Sequence, residues 1–400
     1  MDINSKLTNE EIITKILNKE IKLRHLSILG EKRATEIRLK FLEKKLNSEF
    51  TNINLSILNP EKCKPNIENM VGSTQIPLGI AGPILINFEN KSKEYYLPLA
   101  TTEGALVASV NRGCSVINKS GGCETILLKN FQTRSILFKV KSINKIKKFL
   151  FFVNENLDEL KKIGNSTDKF IELLDIEPYV VGLNIWLRIK ANTNDAMGMN
   201  MVTIAGKKIA DYILNNFSDV KFVSESGNLC VDKKPSSMNL INSRGKKVIA
   251  SVNISNGVIN KILKTTANEL VDLNYRKNLL GSAASGSIGY NAHFANIIAA
   301  IYIATGQDPA HTVSGSIGFT TVEKIRNGVN FSVTLPSIQV ATIGGGTSLP
   351  TQKEALSIMN VETSVELSRV VASAVLAGEI SLLGALCSKE LTSAHEKHNR

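Results

Sequence analysis

Residues 370–387 read VVASAVLAGEISLLGALC. No segment of the chain has about 18 uninterrupted apolar residues, and this run is the nearest candidate for one, so its reading decides between a membrane protein and a globular one. Glu379 stands in its middle. A carboxylate at bilayer depth is expensive and marks a transport path or a counter-ion, whereas a globular core can surround it with donors. The alternation of alanine, glycine and serine with valine and leucine leaves no polar face. The run is expected to be a buried helix of a soluble protein.

Composition agrees. The chain has 400 residues, 43% hydrophobic and 21% charged, enough apolar material for a sizeable core and for two or three domains. Its formal net charge of +12 favours anionic partners. The lysines are scattered rather than blocked and aromatics are only 6%, so stacking platforms and a basic stripe are both missing and nucleic acid is not expected. Five cysteines (Cys63, Cys114, Cys123, Cys230, Cys387) show no CxxC spacing, which argues against a disulfide scaffold or a zinc site and fits a reducing cytosol. The N-terminus, MDINSKLTNEEIITK, lacks the basic flank and apolar run of a signal peptide. A cytoplasmic location without a membrane is expected.

Along the chain, Thr8 and Glu11 make a capping-box pattern ahead of Ile13, Ile16 and Leu17, and a second helix spans 31–47. Residues 68–86, ENMVGSTQIPLGIAGPILI, cluster proline and glycine around short strands. TTEGALVASVNRGCSVI (101–117) predicts a helix opening on a threonine cap. From 135 to 225 strands such as SILFKVKSI and PYVVGLNIWLRIKA interleave with helices, which suggests a compact α+β insert. The fold class expected is α/β (α+β).

GxGxxG is absent. In its place DAMGMNM (195–201) lies between a predicted strand and a predicted helix. Gly198 would let the backbone approach a ligand, and the helix N-terminus would offer unpaired amides to a phosphate. ATIGGGTSLP (341–350) is a second loop of this kind. LCVDKKPSSM (229–238) sets an acid, two lysines and a stiffening proline in succession, which on its own reads as a charged turn.

ENMVGSTQIPLGIAGP, TTEGALVASVNRGC, DAMGMNMV, DKKPSS, GYNAHFANIIAAIYIATGQDPA, ATIGGGT and the ending AHEKHNR, in this order, resemble the 3-hydroxy-3-methylglutaryl-CoA (HMG-CoA) reductases from about residue 65 onward. The DKKP form and the HNR ending look like the class of the eukaryotic and most archaeal enzymes, in its soluble form. The resemblance implies reduction of a thioester, HMG-CoA, to the alcohol mevalonate by two reduced nicotinamides in succession, NADPH or NADH, with coenzyme A released.

It also implies roles. Lys233 would stabilise the oxyanion, Glu103 and Asp308 would handle protons, and His395 would protonate the departing thiolate. Glu103 would need burial beside Asp308 to hold its proton. Arg134, Ser226, Asp232, Lys234 and Lys277 would surround the substrate, with His293 and Asn296 nearby. Asp195, Met197, Gly198, Met199, Asn200, Gly344, Gly345 and Arg400 would meet the cofactor. HEKH (395–398) has i, i+3 spacing where a zincin needs i, i+4, so no metal is expected. Asp168 and Lys169, 27 residues before DAMGMNM, fall where NADPH users carry a Ser-Arg pair. An aspartate there favours free ribose hydroxyls and repels a 2′-phosphate, which tips the expectation toward NADH.

The implied architecture has an N-terminal helical domain (1–67), a large domain around a long central helix (68–135 and 237–400), an inserted ferredoxin-like nucleotide-binding domain (136–225) and a connecting loop (226–236). A homodimer or dimer of dimers is implied, with Lys233 completing a site whose Glu103 and Asp308 come from the neighbouring subunit. Three departures stand out: Ala394 for the more usual serine, one glycine fewer before Tyr290, and His311-Thr312 where Gln-Asn is usual.

Overall fold

The computed structural model describes residue 3 and residues 6–388. Strands β1 (Leu78–Asn87), β2 (Ser92–Ala100), β3 (Cys123–Val140), β4 (Glu172–Val181), β5 (Asn184–Asn192), β6 (Val220–Ser224), β7 (Gly245–Ser255), β8 (Phe319–Ile325) and β9 (Gly328–Ile338) form the sheets. The principal helices are α1 (Asn9–Leu17), α2 (Glu31–Leu46), α3 (Leu106–Lys119), α4 (Ile143–Glu155), α5 (Leu157–Asn165), α6 (Met199–Asn216), α7 (Phe294–Ala304) and α8 (Ser364–Cys387).

Strand β3 is 18 residues long and belongs to two sheets. Its first half pairs with β1 and β7 in the order β2-β1-β3-β7-β9-β8. Its second half pairs with β5 and β6, and β4 lies outside β5. The second sheet therefore runs β6-β3-β5-β4, with α4 and α5 crossing before β4 and α6 before β6, a ferredoxin-like winding. Each sheet has its own core. Ile136, Phe138, Phe149, Ile189 and Ile209 pack in the small one, and Ile84, Val110, Phe331 and Val375 in the large one. A third cluster, with Ile12, Leu26 and Ile37, holds the N-terminal helices.

Helix α8 runs through the large core, and 83% of its most apolar window is buried inside the protein. It is the single helix among the described residues long and apolar enough to span a membrane by composition. Close approach explains its small residues. A Cβ on Gly113 of α3 would lie 1.9 Å from the Ala377 carbonyl oxygen, so α3 and α8 touch backbone to backbone. Glu379 is buried, and its carboxylate accepts the amides of Ala292 (2.9 Å) and His293 (2.7 Å) and the Thr320 hydroxyl (2.6 Å). The one charge in the run thus caps the start of α7 from across the core.

Local chemistry sets other boundaries. The Thr8–Glu11 capping box forms in both directions. The helix after TTEG begins at Leu106 rather than at residue 101, because Thr101 Oγ1 takes the Glu103 amide and Ala105 adopts a left-handed backbone (φ +67°). PYVVGLNIWLRIKA is a hairpin rather than one strand: β4 turns at Gly182 (φ +58°) into β5.

Candidate active site

The loop carrying DKK is tied down on both sides of Lys233. Thr133 Oγ1 donates to the Cys230 carbonyl (3.0 Å) and Asn239 Nδ2 to that of Val231 (3.1 Å). Asp232 accepts from the fully buried Arg244 (Nη2–Oδ1 2.9 Å). Lys233 itself is left-handed (φ +55°), a conformation that costs a non-glycine residue about 1 kcal/mol. So held, its ammonium meets Asp308 Oδ2 at 2.7 Å.

This pair corrects the expected division of the site. Lys233 and Asp308 belong to one chain, because the loop is anchored by its own strand β3 and by Asn239 and Arg244. Glu103 is not beside Asp308 either. It is exposed, and its Oε1 accepts from Asn296 Nδ2 at 3.2 Å. Asn296 lies in the first turn of α7, whereas Asp308 follows the other end of that helix. With 11 residues, α7 is about 16 Å long, and it lies between the Asn296 end that Glu103 bonds and the Asp308 end. The Asn296 side chain turns to Glu103, and His293 Nε2 is buried without a side-chain partner beside Gly378.

Asp308 caps a short turn through the Ala310 amide (3.0 Å). Burial raises its pKa, but the bond from Lys233, the Ala310 amide and the neighbouring His311 outweigh burial and hold the carboxyl below the ordinary aspartate value. His311 is fully buried, with Nε2 3.8 Å from Asp232 Oδ1 and 3.9 Å from Asp308 Oδ2. Burial, with Arg244 close by, pushes its pKa down to about 4 against the pull of the two aspartates. Its imidazole is therefore neutral near pH 7.

A folded-state pKa below the unfolded one means that the unfolded chain binds the extra proton first as pH falls. Stability is present above pH 6.5 or so and is lost between there and about pH 4, by about 2–3 kcal/mol. His311→Gln should lack this part of the acid loss when urea midpoints near pH 7 and pH 4.5 are compared. Equal losses in the two proteins would refute the assignment.

Two loops and Asp308 converge on one cavity of about 610 Å³, lined by Met197, Gly198, Met199, Asn200, Gly344 and Gly345. Gly198 is left-handed (φ +80°), and a Cβ there would lie 2.2 Å from the Thr193 side chain. It ends the loop at the start of α6, which has no side-chain cap, so the first amides of an 18-residue helix are available to an anion. A Cβ at Gly344 or Gly345 would meet nothing within 4 Å, which leaves bare backbone facing open space. Asp195 turns away: its carboxylate accepts the Ser364 amide (2.7 Å) and its carbonyl the Thr342 amide (3.0 Å), which joins the small-sheet loop to α8 and to the ATIGGG loop. Asp168 accepts the Phe170 amide (2.8 Å), Lys169 lies over the Phe170 ring (4.8 Å), and Asn194 Nδ2 binds the Phe170 carbonyl (3.0 Å). The turn is thereby fixed next to the DAMGMNM loop.

Among the expected substrate contacts, Arg134 lies in β3 opposite Ile189, with a buried and unpartnered Nε. Ser226 and Lys234 are exposed on the connecting loop. Lys277 is exposed on the segment Asn274–Gly281, which packs against β8. His395, Arg400 and Ala394 lie outside the described residues. Sequence reading missed Arg244, which also reaches Met199 Sδ at 2.8 Å and so bridges the lysine loop to the cavity. An arginine before a glycine carries no local signal of burial.

The family model described as hydroxymethylglutaryl-coenzyme A reductase matches residues 34–400. The chain belongs to this family. A relative named 3-hydroxy-3-methylglutaryl-coenzyme A reductase in Methanocaldococcus jannaschii is 49% identical, over 98% of this chain and 99% of its own. Its namesake in Pyrococcus abyssi is 46% identical, also over 98% and 99%. The fold is shared with the class II reductase of Streptococcus pneumoniae solved with NADPH, at a TM-score of 0.66 and 19% identity over 96% of this chain and 98% of that one. As an HMG-CoA reductase the chain is an oxidoreductase of the mevalonate pathway.

Proposed function

We propose that the chain reduces HMG-CoA to mevalonate and coenzyme A, using two reduced nicotinamides, at a site assembled from two copies of itself. The observation that carries this is Asp308, bonded to Lys233, in the wall of the cavity of Met197–Asn200 and Gly344–Gly345. The cavity suits a dinucleotide: an uncapped helix N-terminus faces it, and glycine backbone leaves room for close approach. When bound, the reduced nicotinamide supplies hydride.

The protein's part is electrostatic and protonic. The Lys233 ammonium sits where negative charge develops on the thioester oxygen. Asp308 holds Lys233 in place between turnovers. Arg244 keeps Asp232 fixed, so the loop does not swing. Glu103, steadied by Asn296, gives a proton to the alcohol oxygen. His395 protonates the leaving thiolate. Arg134, Ser226, Lys234 and Lys277 receive the substrate's anionic groups, and Asp232, held by Arg244, lies among them.

Because Glu103 bonds Asn296 at one end of α7 and Lys233 bonds Asp308 past the other, the proposed working site joins the Glu103 half of one copy to the Lys233, Asp308 and cofactor half of another. The three separate cores support the domain limits 1–67, 68–135 with 237–400, and 136–225, with 226–236 as the loop. The test is oxidation of NADH or NADPH that depends on HMG-CoA and yields mevalonate. No such oxidation with either nicotinamide would overturn the reading.

The fixed Asp168 turn supports a preference for NADH. Asp168→Ser should move the ratio of kcat/KM values toward NADPH by about tenfold, as one removed repulsion of about 1.4 kcal/mol would. Steady-state kinetics with both cofactors decide this. An unchanged ratio would remove Asp168 from the cofactor site.

A further inference from the structure

We infer that His311 is a positioning residue for Lys233: its ring N–H takes over the Asp308 oxygen when Lys233 turns to the substrate. This rests on the reading of Lys233 as the oxyanion's partner and adds to it a device for freeing the lysine.

The geometry is specific. Asp308 Oδ2, which Lys233 holds at 2.7 Å, is also the Asp308 oxygen that faces His311 Nε2, at 3.9 Å. On its other side Nε2 is 3.8 Å from Asp232 Oδ1, and Arg244 already occupies that oxygen at 2.9 Å. Neither distance is a hydrogen bond. Both ring nitrogens are buried and unpartnered, a state that lowers stability wherever it has no other use. The charged groups facing the ring are Asp232, Asp308, Arg244 and Lys233. Of these, Asp308 is the acceptor that catalysis would leave uncompensated.

A lysine held at 2.7 Å by a carboxylate is a weakened oxyanion partner. If it leaves, a half-buried carboxylate loses its main compensation. A shift of about 1 Å brings the neutral imidazole N–H into bonding range of that oxygen. No proton changes hands. One donor replaces another on Asp308, and Lys233 becomes available to the substrate. The ring needs no partner in the resting state because its partner is then occupied.

The experiment compares wild type with His311→Leu, His311→Gln and Lys233→Ala in full-length protein. It measures kcat, KM for HMG-CoA and the melting temperature. His311→Leu should lower kcat about 10- to 100-fold, with KM changed less than about threefold and no drop in melting temperature, because a costly buried polar group is gone. His311→Gln carries an N–H at similar reach and should recover kcat to within about fivefold of wild type. His311→Met, also without a donor, repeats the leucine measurement in case leucine packs poorly.

Wild-type kcat in both donor-free variants would overturn the inference. So would equal impairment in Gln and Leu, or a kcat loss that follows a lowered melting temperature. Failure of the underlying reading looks different: Lys233→Ala would then turn over like wild type.

Discussion

Lys233→Ala alone is expected to lose about 10²–10³ in kcat, the usual effect of deleting one donor to a developing oxyanion. Glu103→Gln should be similarly crippled. Co-expressed, the two should recover about a quarter of wild-type activity. About half of randomly formed dimers are hybrids, and each hybrid has one intact site of two. The decisive control is Lys233→Ala with Asp308→Asn. Those residues are bonded at 2.7 Å within one chain, so both belong to the same half-site. Every hybrid site then carries one lesion or the other, and no activity should return. Recovery in the control would mean that Lys233 and Asp308 meet across the interface. Recovery in neither mixture would place the whole site in one chain. The measurement is specific activity of the co-expressed mixture and of doubly tagged, doubly purified heterodimers, which should reach about half of wild type because the parental dimers are removed.

The division of the site shows where sequence reading stops. The Thr8–Glu11 capping box was legible because its partners are three residues apart and its geometry is fixed by one turn of helix. The DAMGMNM loop was legible for the same reason: strand, left-handed glycine and helix follow one another directly. The Lys233–Asp308 bond spans 75 positions and could be formed within a chain or between chains, and residue types alone do not decide which. The resemblance implied that Lys233 and Asp308 come from different chains, whereas the structure bonds them within one. Glu103 was expected to need Asp308 as a neighbour, yet within one chain it bonds Asn296 in the first turn of α7 while Asp308 follows the last. Arg244 is a sharper case. Nothing around SRGK announces burial, and its value comes from touching Asp232 and Met199, which are brought together only when both sheets have formed. The start of the TTEG helix was misread because Thr101 spends its hydroxyl on Glu103 and a left-handed Ala105 resets the entry.

Glu379→Leu should destabilise the protein by about 4 kcal/mol, although leucine suits an apolar helix better than glutamate does. The two effects can be weighed. Removing a buried carboxylate recovers its desolvation cost, and replacing a whole buried ion pair by apolar residues is often neutral or favourable. Here the partners cannot be replaced with it. Two are backbone amides, of Ala292 and His293, and the third is the Thr320 hydroxyl. Each donor left unmet in the core costs about 1–3 kcal/mol, and the sum exceeds what leucine gains by packing. Glu379→Gln keeps one acceptor and should lose about half as much. Urea midpoints of the three proteins check the order. A leucine variant as stable as wild type would make Glu379 a tolerated accident. The expected order would make it the fastening that holds α7, and with it Asn296 and His293, to the central helix. The charge that argued against a membrane span would then be the residue that sets the angle at which Asn296 reaches Glu103.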